Sequence, residues 1–412
     1  MTDVLIIGAG PAGAIAGALL ARRGYEVLIL ERQKFPRFSI GESLLANSMQ
    51  FIEEAGMLEA VHAGAFQFKN GAAFVRNGAY SDYNFAQKSA AGYGYTFQVP
   101  RADFDKVLAD EAARQGAEIR YEIEIRAADF SGPDPELTAR NAAGEETRHR
   151  ARFVLDASGF GRTLPRLLDL ERPSDFPPRA ALFTHIEDHI EAGAFDRQKI
   201  RVSVHPREQD VWYWLIPFSN GRSSLGVVAT REFHQRYQGT TSERLWQIVG
   251  EETSLAKLLA QSRPLAQVGE IVGYAASVKA LHGRGFALLG NAAEFLDPVF
   301  SSGVTIAMQS ASLAVRALDR QFRGETVDWN ADFDTPLKYG VETFRAFVNG
   351  WYDGTLQDVI FHTRQDEPIR RHICSVLAGY AWDTANPYTG THAQRRLAAL
   401  ARLCRDDKRA PQ

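Results

Sequence analysis

The chain has 412 residues, of which 45% are hydrophobic and 24% are charged, the balance of a soluble globular protein. At about 150 residues per domain, this length predicts two or three domains. Its 47 basic and 50 acidic residues leave a net charge of −3, which argues against a nucleic-acid partner, since neutralising many phosphates needs a basic face. Neither Cys374 nor Cys404 belongs to a Cys-x-x-Cys pair, so we expect two reduced thiols in a cytoplasmic protein and no zinc cluster or disulfide framework.

The first thirty residues predict a strand, a glycine-rich turn, a helix and a second strand. Residues 4–21 carry no charge and are long enough to raise the question of a membrane helix. Pro11 and four glycines interrupt this stretch. The start also lacks the basic segment typical of a secretory leader, so we do not expect one. Strands over 3–7 and 25–30 around a helix over 13–23 explain the pattern better, so we expect no membrane span.

A dinucleotide-binding motif lies in this βαβ unit. Gly8-Ala9-Gly10-Pro11-Ala12-Gly13 has the spacing G-x-G-x-x-G, and Glu31 follows the second strand. The glycines let the backbone approach a pyrophosphate, the helix N-terminus favours its negative charge, and Glu31 can accept hydrogen bonds from a ribose. The alternative is a turn that binds nothing, and the motif does not separate FAD from NAD. The predicted cofactor-binding residues here are Gly8, Gly10, Ala12, Gly13, Glu31 and Arg32.

The rest of the chain alternates strands and helices before it becomes mainly helical. The predicted elements, in chain order, are a hairpin over 72–83 turning at Asn77-Gly78, a helix over 103–115, a strand over 118–125, loops or an edge hairpin over 130–150, a buried strand over 153–155, a sheet over 180–230, a strand over 286–289, a helix from about 304, and helices over 330–412.

Three later segments resemble FAD-dependent monooxygenases and halogenases of the para-hydroxybenzoate hydroxylase-type fold. They are Pro100-Arg101-Ala102-Asp103-Phe104-Asp105, Asp156-Ala157-Ser158-Gly159, and Gly290-Asn291-Ala292-Ala293 with Asp297-Pro298. The resemblance implies that Arg101 lies at the flavin and that the backbone near Ile125 lies by the adenine. It also implies cofactor roles for Asp156 and Asn291. Asn291 replaces the family's acidic residue but can still donate and accept hydrogen bonds, so we expect FAD binding to survive.

The segment Trp212-Tyr213-Trp214-Leu215-Ile216-Pro217 resembles the W-x-W-x-I-P signature of flavin-dependent halogenases. Because side chains alternate along a strand, both tryptophans are expected on one face. The resemblance implies that they line the path between flavin and substrate, with Pro217 and Phe300. The alternative is an aromatic strand of the core.

Two loops complete this resemblance. Glu42 and Ser43, within Gly41-Glu42-Ser43-Leu44-Leu45, resemble the family's flavin-adjacent segment. The run from Asp297 to Val304 resembles its halide-binding loop, which implies backbone N–H donors at Ser302 and Gly303 and a flavin contact at Val304. A helix N-terminus is also a physically sound anion site. A plain hydroxylase would use the same loop against its flavin.

Lys69 is the predicted catalytic side chain. Phe66-Gln67-Phe68-Lys69-Asn70-Gly71-Ala72 resembles the segment that carries the halogenase lysine, whose role is to meet hypohalous acid and pass halogen to the substrate. A desolvated lysine suits this role because it can lose its proton. The alternative is a solvated lysine beside an Asn-Gly turn.

These observations predict an α/β fold with a Rossmann-like FAD-binding domain, a β-sheet substrate lobe and a helical C-terminal part. The predicted bounds are 1–70, 100–175 and 280–330 for the FAD domain, 71–99 and 176–279 for the lobe, and 331–412 for the helical part. No metal site is expected, since His185 and His189 lack further ligands. Trp351, Tyr352 and Phe361 are expected to pack helices or to line a substrate pocket.

The function that the resemblance implies is halogenation, with reduced FAD, O2 and halide, of an electron-rich aromatic substrate that is phenolic, pyrrolic or carrier-bound. The chain has no second dinucleotide motif, so a separate flavin reductase is the expected partner. Two alternatives stay open: an aromatic hydroxylase, and a protein whose main role is recognition of a carrier-bound or peptidyl substrate. The cluster Arg370-Arg371-His372 could meet an acidic carrier or be a solvated face.

Overall fold

The structure is a computed structural model that describes residues 2–409, with side chains described to residue 407. Elements are numbered in chain order. The first of two large sheets has the strand order β19-β20-β10-β1-β2-β7, with β8 and β9 joined to the outer part of β10. Its strands are β1 (Thr2–Ile7), β2 (Val27–Glu31), β7 (Glu118–Tyr121), β8 (Ile123–Asp129), β9 (Glu136–Asn141), β10 (Glu146–Asp156), β19 (His282–Gly283) and β20 (Phe286–Leu288).

The second large sheet has the order β16-β12-β15-β14-β13-β4-β5, with β17 beside β12. Two short ribbons pair β3 with β6 and β11 with β18. The strands are β3 (Gln67–Lys69), β4 (Gly71–Arg76), β5 (Ala79–Asn84), β6 (Thr96–Gln98), β11 (Glu171–Arg172), β12 (Arg179–Glu187), β13 (Lys199–Val204), β14 (Trp212–Pro217), β15 (Arg222–Thr230), β16 (Arg263–Pro264), β17 (Gly269–Val272) and β18 (Ser277–Val278).

Helices cover the first sheet and form most of the C-terminal part. They are α1 (Pro11–Ala21), α2 (Ser48–Glu54), α3 (Leu58–Ala63), α4 (Arg101–Arg114), α5 (Thr163–Leu167), α6 (Arg231–His234), α7 (Thr241–Glu251), α8 (Thr253–Leu258), α9 (Ser302–Phe322), α10 (Thr335–Tyr352), α11 (Thr355–Ile360), α12 (Glu367–Leu377) and α13 (Ala393–Arg409). Over residues 2–409, each helix lacks the length or the apolar character needed to cross a membrane.

The α/β fold class is confirmed, and the parallel strands explain how the site is assembled. β1 is buried and pairs in parallel with β2 and β10, with Val4 beside Val27 and Ile7 beside Asp156. β20 adds to β10 in the same direction. The carboxyl ends of four strands therefore meet at one edge of the sheet, where open α/β folds bind ligands.

One predicted strand needs correction. The predicted strand over 118–125 is two strands, because Glu122 has a left-handed φ of 61° and breaks it. Of the two alternatives for 130–150, loops or an edge hairpin, the structure has the hairpin, formed by β9 and the first half of β10. The ribbon of β3 and β6 joins residues on either side of the predicted domain bound at 70.

Helix α1 closely approaches the turn before it at Gly13. A Cβ added at Gly13 would lie 1.9 Å from the backbone oxygen of Gly8, whereas one at Gly17 would meet side chains, the nearest being the end of Ile29 at 2.7 Å. Backbone cannot yield as a side chain can, so Gly13→Ala should lower the free energy of unfolding by about 3 kcal/mol or more. Gly17→Ala in the same helix is the control and should cost far less. Urea unfolding of both variants measures this, and equal losses would contradict it.

Candidate active site

A cavity of about 360 Å³ opens where the carboxyl edge of the first sheet faces the second sheet. Residues from both ends of the sequence meet in its wall. The predicted site residues that line it are Gly8, Gly10, Ala12, Glu31, Arg32, Glu42, Ser43, Arg101, Trp212, Trp214, Asn291, Gly303 and Val304. The fold therefore brings most of the predicted cofactor and path residues to one place.

The other predicted site residues do not line this cavity. They are Gly13, Lys69, Ile125, Asp156, Pro217, Phe300 and Ser302. Asp156 instead fixes the backbone that follows β10. Its buried carboxylate accepts hydrogen bonds from the backbone N–H groups of Ser158, at 2.9 Å, and Leu164, at 2.6 Å. Phe300 contacts the edges of two C-terminal aromatic rings, and Ser302 is buried beside Gly303.

The first part of the wall fits a dinucleotide. Gly10 begins α1 without a side-chain cap, so the first turn keeps backbone donors for a phosphate. The Glu31 carboxylate accepts hydrogen bonds from the backbone N–H groups of Ala9 and Gln33, both at 2.9 Å, which fixes it at the end of β2. Gly8 has φ +95°, and a Cβ there would lie 2.7 Å from the Ala157 oxygen. These are the residues that would hold the pyrophosphate and ribose of FAD.

Arg37 is a cation of this wall that the sequence reasoning missed. Its guanidinium lies 3.1 Å from the Asp105 carboxylate, and a Cβ on Gly10 would lie 3.4 Å from it. Arg101 donates two hydrogen bonds to the same carboxylate, at 2.7 and 2.9 Å, and a third to the Ile40 oxygen, at 2.7 Å. One buried carboxylate therefore holds two arginines at the cavity. Only folding reveals this, since no motif marks Arg37.

The N-terminus of α9 offers an anion site. Ser301 directly precedes this 21-residue helix. It has a left-handed conformation, φ 57°, and provides no side-chain cap. Ser301, Gly303 and Val304 line the cavity. Uncapped N–H groups and the helix dipole favour a negative ion at this position. We call residues 298–303 the anion loop.

The prediction that Trp212 and Trp214 share one face of a strand is confirmed. Their rings lie 5.9 Å apart and both line the cavity, whereas Tyr213 points to the opposite face and donates to the Ile248 oxygen. A Cβ on Gly226 would lie 2.3 Å from the Trp214 ring, so the glycine makes room for this tryptophan.

Lys69 is buried, so the alternative of a solvated lysine is wrong. Its side chain is 1% exposed, and its Nζ donates to the Ser43 hydroxyl, at 2.7 Å, and to the Leu44 oxygen, at 2.6 Å. Burial lowers the pKa of Lys69 to about 7. Since Ser43 lines the cavity, one side chain connects the amine to the cavity wall.

Two buried oxygens lie on the same face of the ribbon as Lys69. Thr96 is its cross-strand neighbour and Gln98 follows on the same face. Among the described residues, Thr96 Oγ1 and Gln98 Oε1 have no hydrogen-bond partner. Each of these oxygens can accept a hydrogen bond that the described residues do not supply.

His185, considered above as a metal ligand, pairs with Glu42. Its Nε2 lies 2.6 Å from Glu42 Oε1 at the cavity wall. Burial alone lowers the pKa of His185, but the hydrogen bond and charge of Glu42 outweigh this and raise it. The pairing spans 143 residues, and no local pattern in the sequence indicates it.

A protein-family model described as a FAD binding domain matches residues 1–333, and the chain belongs to this family. The chain is 26% identical over 406 residues to the 1H-pyrrole-2-carbonyl-(peptidyl-carrier protein) chlorinase of Pseudomonas fluorescens, covering 92% of this chain and 89% of that protein. It is 31% identical over 337 residues to the tryptophan 2-halogenase of Chondromyces crocatus, covering 79% of this chain and 62% of that protein.

Solved structures extend the likeness over the whole chain. A flavoprotein/dehydrogenase from Cytophaga hutchinsonii is 45% identical, with a TM-score of 0.95 and 99% of each chain covered. The myxobacterial chondrochloren halogenase is 26% identical, with a TM-score of 0.75, covering 98% of this chain and 97% of that one. The protein is a FAD-dependent oxidoreductase of the halogenase and monooxygenase group.

The burial of Lys69 predicts a pH dependence of stability. The folded chain releases this proton at about pH 7, whereas the unfolded chain holds it to about pH 10.5. Because the unfolded state binds more protons in this window, Lys69 makes the free energy of unfolding rise with pH, by up to about 1.4 kcal/mol per pH unit.

Lys69→Met should remove this contribution, and denaturant unfolding between about pH 7 and pH 10, inside the window set by the shift, measures it. Lys106→Met, at an exposed position of α4, is the control and should keep the wild-type slope. A wild-type slope in Lys69→Met would show that the amine is not desolvated.

Proposed function

We propose that this protein is a FAD-dependent halogenase that uses reduced FAD, O2 and halide to chlorinate or brominate an electron-rich aromatic substrate. The observation that carries this proposal is the buried Lys69, with a pKa near 7, joined through Ser43 to a cavity that also holds an uncapped helix N-terminus and two tryptophans. What distinguishes Lys69 from other buried groups is this connection to the cavity through Ser43.

The residues of the cavity would have the following roles. Bound reduced FAD supplies the means to activate O2. The first turn of α1 and Glu31 would bind its pyrophosphate and ribose, and the backbone N–H groups of Ser302 and Gly303 would bind halide. Trp212 and Trp214 would exclude water along the path that hypohalous acid takes.

Lys69 would meet hypohalous acid at the end of this path. An amine whose pKa is about 7 exists in both protonation states near neutral pH, so it can donate a hydrogen bond to the oxygen or react as a free amine. The Ser43 hydroxyl and Leu44 oxygen fix its direction.

The substrate class follows from the same surroundings. The oxygens of Thr96 and Gln98, buried without a partner on the Lys69 face of the ribbon, could accept a hydrogen bond from a ring N–H or O–H, as pyrroles and phenols carry. A pyrrolyl-carrier chlorinase among the relatives supports a carrier-bound substrate as well as a free one. We infer that a separate flavin reductase supplies the reduced cofactor.

A second candidate function is hydroxylation of an aromatic ring. The 45% identical solved structure is described as a flavoprotein/dehydrogenase, without halogenation. The anion loop would then face only the flavin, and Lys69 would be a bystander.

Mass spectrometry of turnover separates the two functions. The protein would be mixed with FAD, a flavin reductase, NADH, O2 and bromide, with phenols, pyrroles and carrier-bound aromatic acyl groups as substrates. We expect a product with the bromine isotope doublet that disappears when bromide is omitted. A gain of one oxygen that does not depend on bromide would replace halogenation by hydroxylation.

Lys69→Ala should keep FAD binding and lower halogenation by about 100-fold or more, the usual size of a lost acid–base group. Lys88→Ala is a matched control, because Lys88 is also buried, donates to a backbone oxygen at 2.8 Å, and lies 5.0 Å from a ring centre, as Lys69 lies 5.3 Å from that of Phe85. We expect it to keep wild-type halogenation. Flavin fluorescence titration checks FAD binding, and an active Lys69→Ala protein would refute the role of Lys69.

A further inference from the structure

Asp297 is a buried carboxylate immediately before the anion loop. Its Oδ1 accepts a hydrogen bond from the backbone N–H of Val299, at 3.0 Å, and so holds the turn that leads into α9. Its Oδ2 accepts from two tyrosine hydroxyls, Tyr352 at 2.7 Å and Tyr274 at 3.1 Å. The carboxylate therefore ties the loop to two other parts of the molecule.

The Tyr352 hydroxyl continues this connection to the tryptophan wall. While it donates to Asp297, its oxygen accepts from the indole Nε1–H of Trp212, at 3.0 Å. The guanidinium of Arg179 lies over the Tyr352 ring, 3.6 Å from its centre, and holds the ring in place. The chain Asp297–Tyr352–Trp212 thus joins the anion loop, the last turn of α10 and strand β14.

Tyr274 gives a comparison within the same site. Its hydroxyl donates to the same Asp297 oxygen, and within residues 2–409 it makes no hydrogen bond with Trp212. Removing one or the other hydroxyl therefore separates loss of a bond to Asp297 from loss of the connection to Trp212.

The charge on Asp297 responds to pH near neutrality. Burial raises its pKa to about 6, although hydrogen bonds from Tyr352, Val299 and Tyr274 and the charge of Arg179 oppose the rise. These two tyrosines and Arg179 are the titratable and charged groups that face it from α10, the segment after β17, and β12. Arg179 itself is 3.2 Å from the Asp210 carboxylate, which shares its charge.

We propose that Asp297 is a positioning residue of the anion loop and that the Tyr352 hydroxyl transmits its protonation state to the indole of Trp212. When Asp297 is ionised, Oδ2 accepts hydrogen bonds from both tyrosines. When a proton binds there, the carboxyl donates to the nearer hydroxyl, that of Tyr352, which turns its own O–H away and accepts. Tyr352 then no longer donates to an anion, so its oxygen is a weaker acceptor and the indole hydrogen bond weakens. The inference rests on the proposed function only in placing Trp212 on a substrate path.

The indole N–H resonance of Trp212 in ¹H–¹⁵N spectra of the full chain with oxidised FAD tests this coupling. The chain has six tryptophans, and Trp212→Phe identifies the signal by its loss. We expect the signal to shift with pH around a midpoint near 6 in the wild type. The shift should be lost in Tyr352→Phe and Asp297→Asn, and retained in Tyr274→Phe.

A signal that does not change between pH 5 and 8 (about one unit or more on either side of the midpoint) would overturn the proposal. So would a titration of Tyr352→Phe that matches the wild type. If Asp297→Asn does not fold, the comparison of Tyr352→Phe with Tyr274→Phe still tests the coupling, because each variant keeps its aromatic ring and loses only a hydroxyl. The experiment uses no halide and no turnover, so the outcome is independent of whether the protein halogenates.

Discussion

The parallel pairing of β1 with β2 and β10 is the constraint on which the site depends. It sets Ile7 beside Leu30 and Asp156, so the turn after β1, Glu31 and the segment after β10 reach the same edge together. A slip of one residue in β1 would turn its buried side chains to the other face and move Gly8 out of reach of Ala157. At Gly8 and Gly13 the backbone lies so close to its neighbours that a side chain would not fit, so this packing depends on the observed register.

The site keeps groups that a purely stable fold would avoid. Lys69 gives up hydration without gaining a carboxylate, a cost of several kcal/mol when it is charged. Asp297 is buried with hydroxyl partners in place of a direct ion pair. By contrast, Arg101 and Asp105, equally buried, satisfy each other through two hydrogen bonds. The unpaired groups lie around the anion loop and the cavity wall, where altered pKa values indicate function.

The sequence predicted the local parts of this arrangement well and the long-range parts poorly. The βαβ start, the hairpin at Asn77-Gly78 and the shared face of Trp212 and Trp214 follow from patterns within a few residues, and the structure has them. The pair His185–Glu42 spans 143 residues, and no periodicity encodes it. The sequence predicts packing or a pocket for Tyr352. The indole that its hydroxyl contacts belongs to a residue 140 positions away along the chain. The resemblance pointed to Lys69, but only the packed ribbon showed that the amine is buried.

Two groups at this site change charge within a narrow range of pH. Burial raises the pKa of Asp297 and lowers that of Lys69, so both groups change charge near neutral pH. When the carboxyl is neutral, it donates a hydrogen bond to Tyr352, and the connection to Trp212 weakens. When the amine is neutral, its hydrogen bond to Ser43 no longer carries charge. The anion loop and the cavity wall therefore both respond to pH near neutrality, the loop through Asp297 and the wall through Ser43.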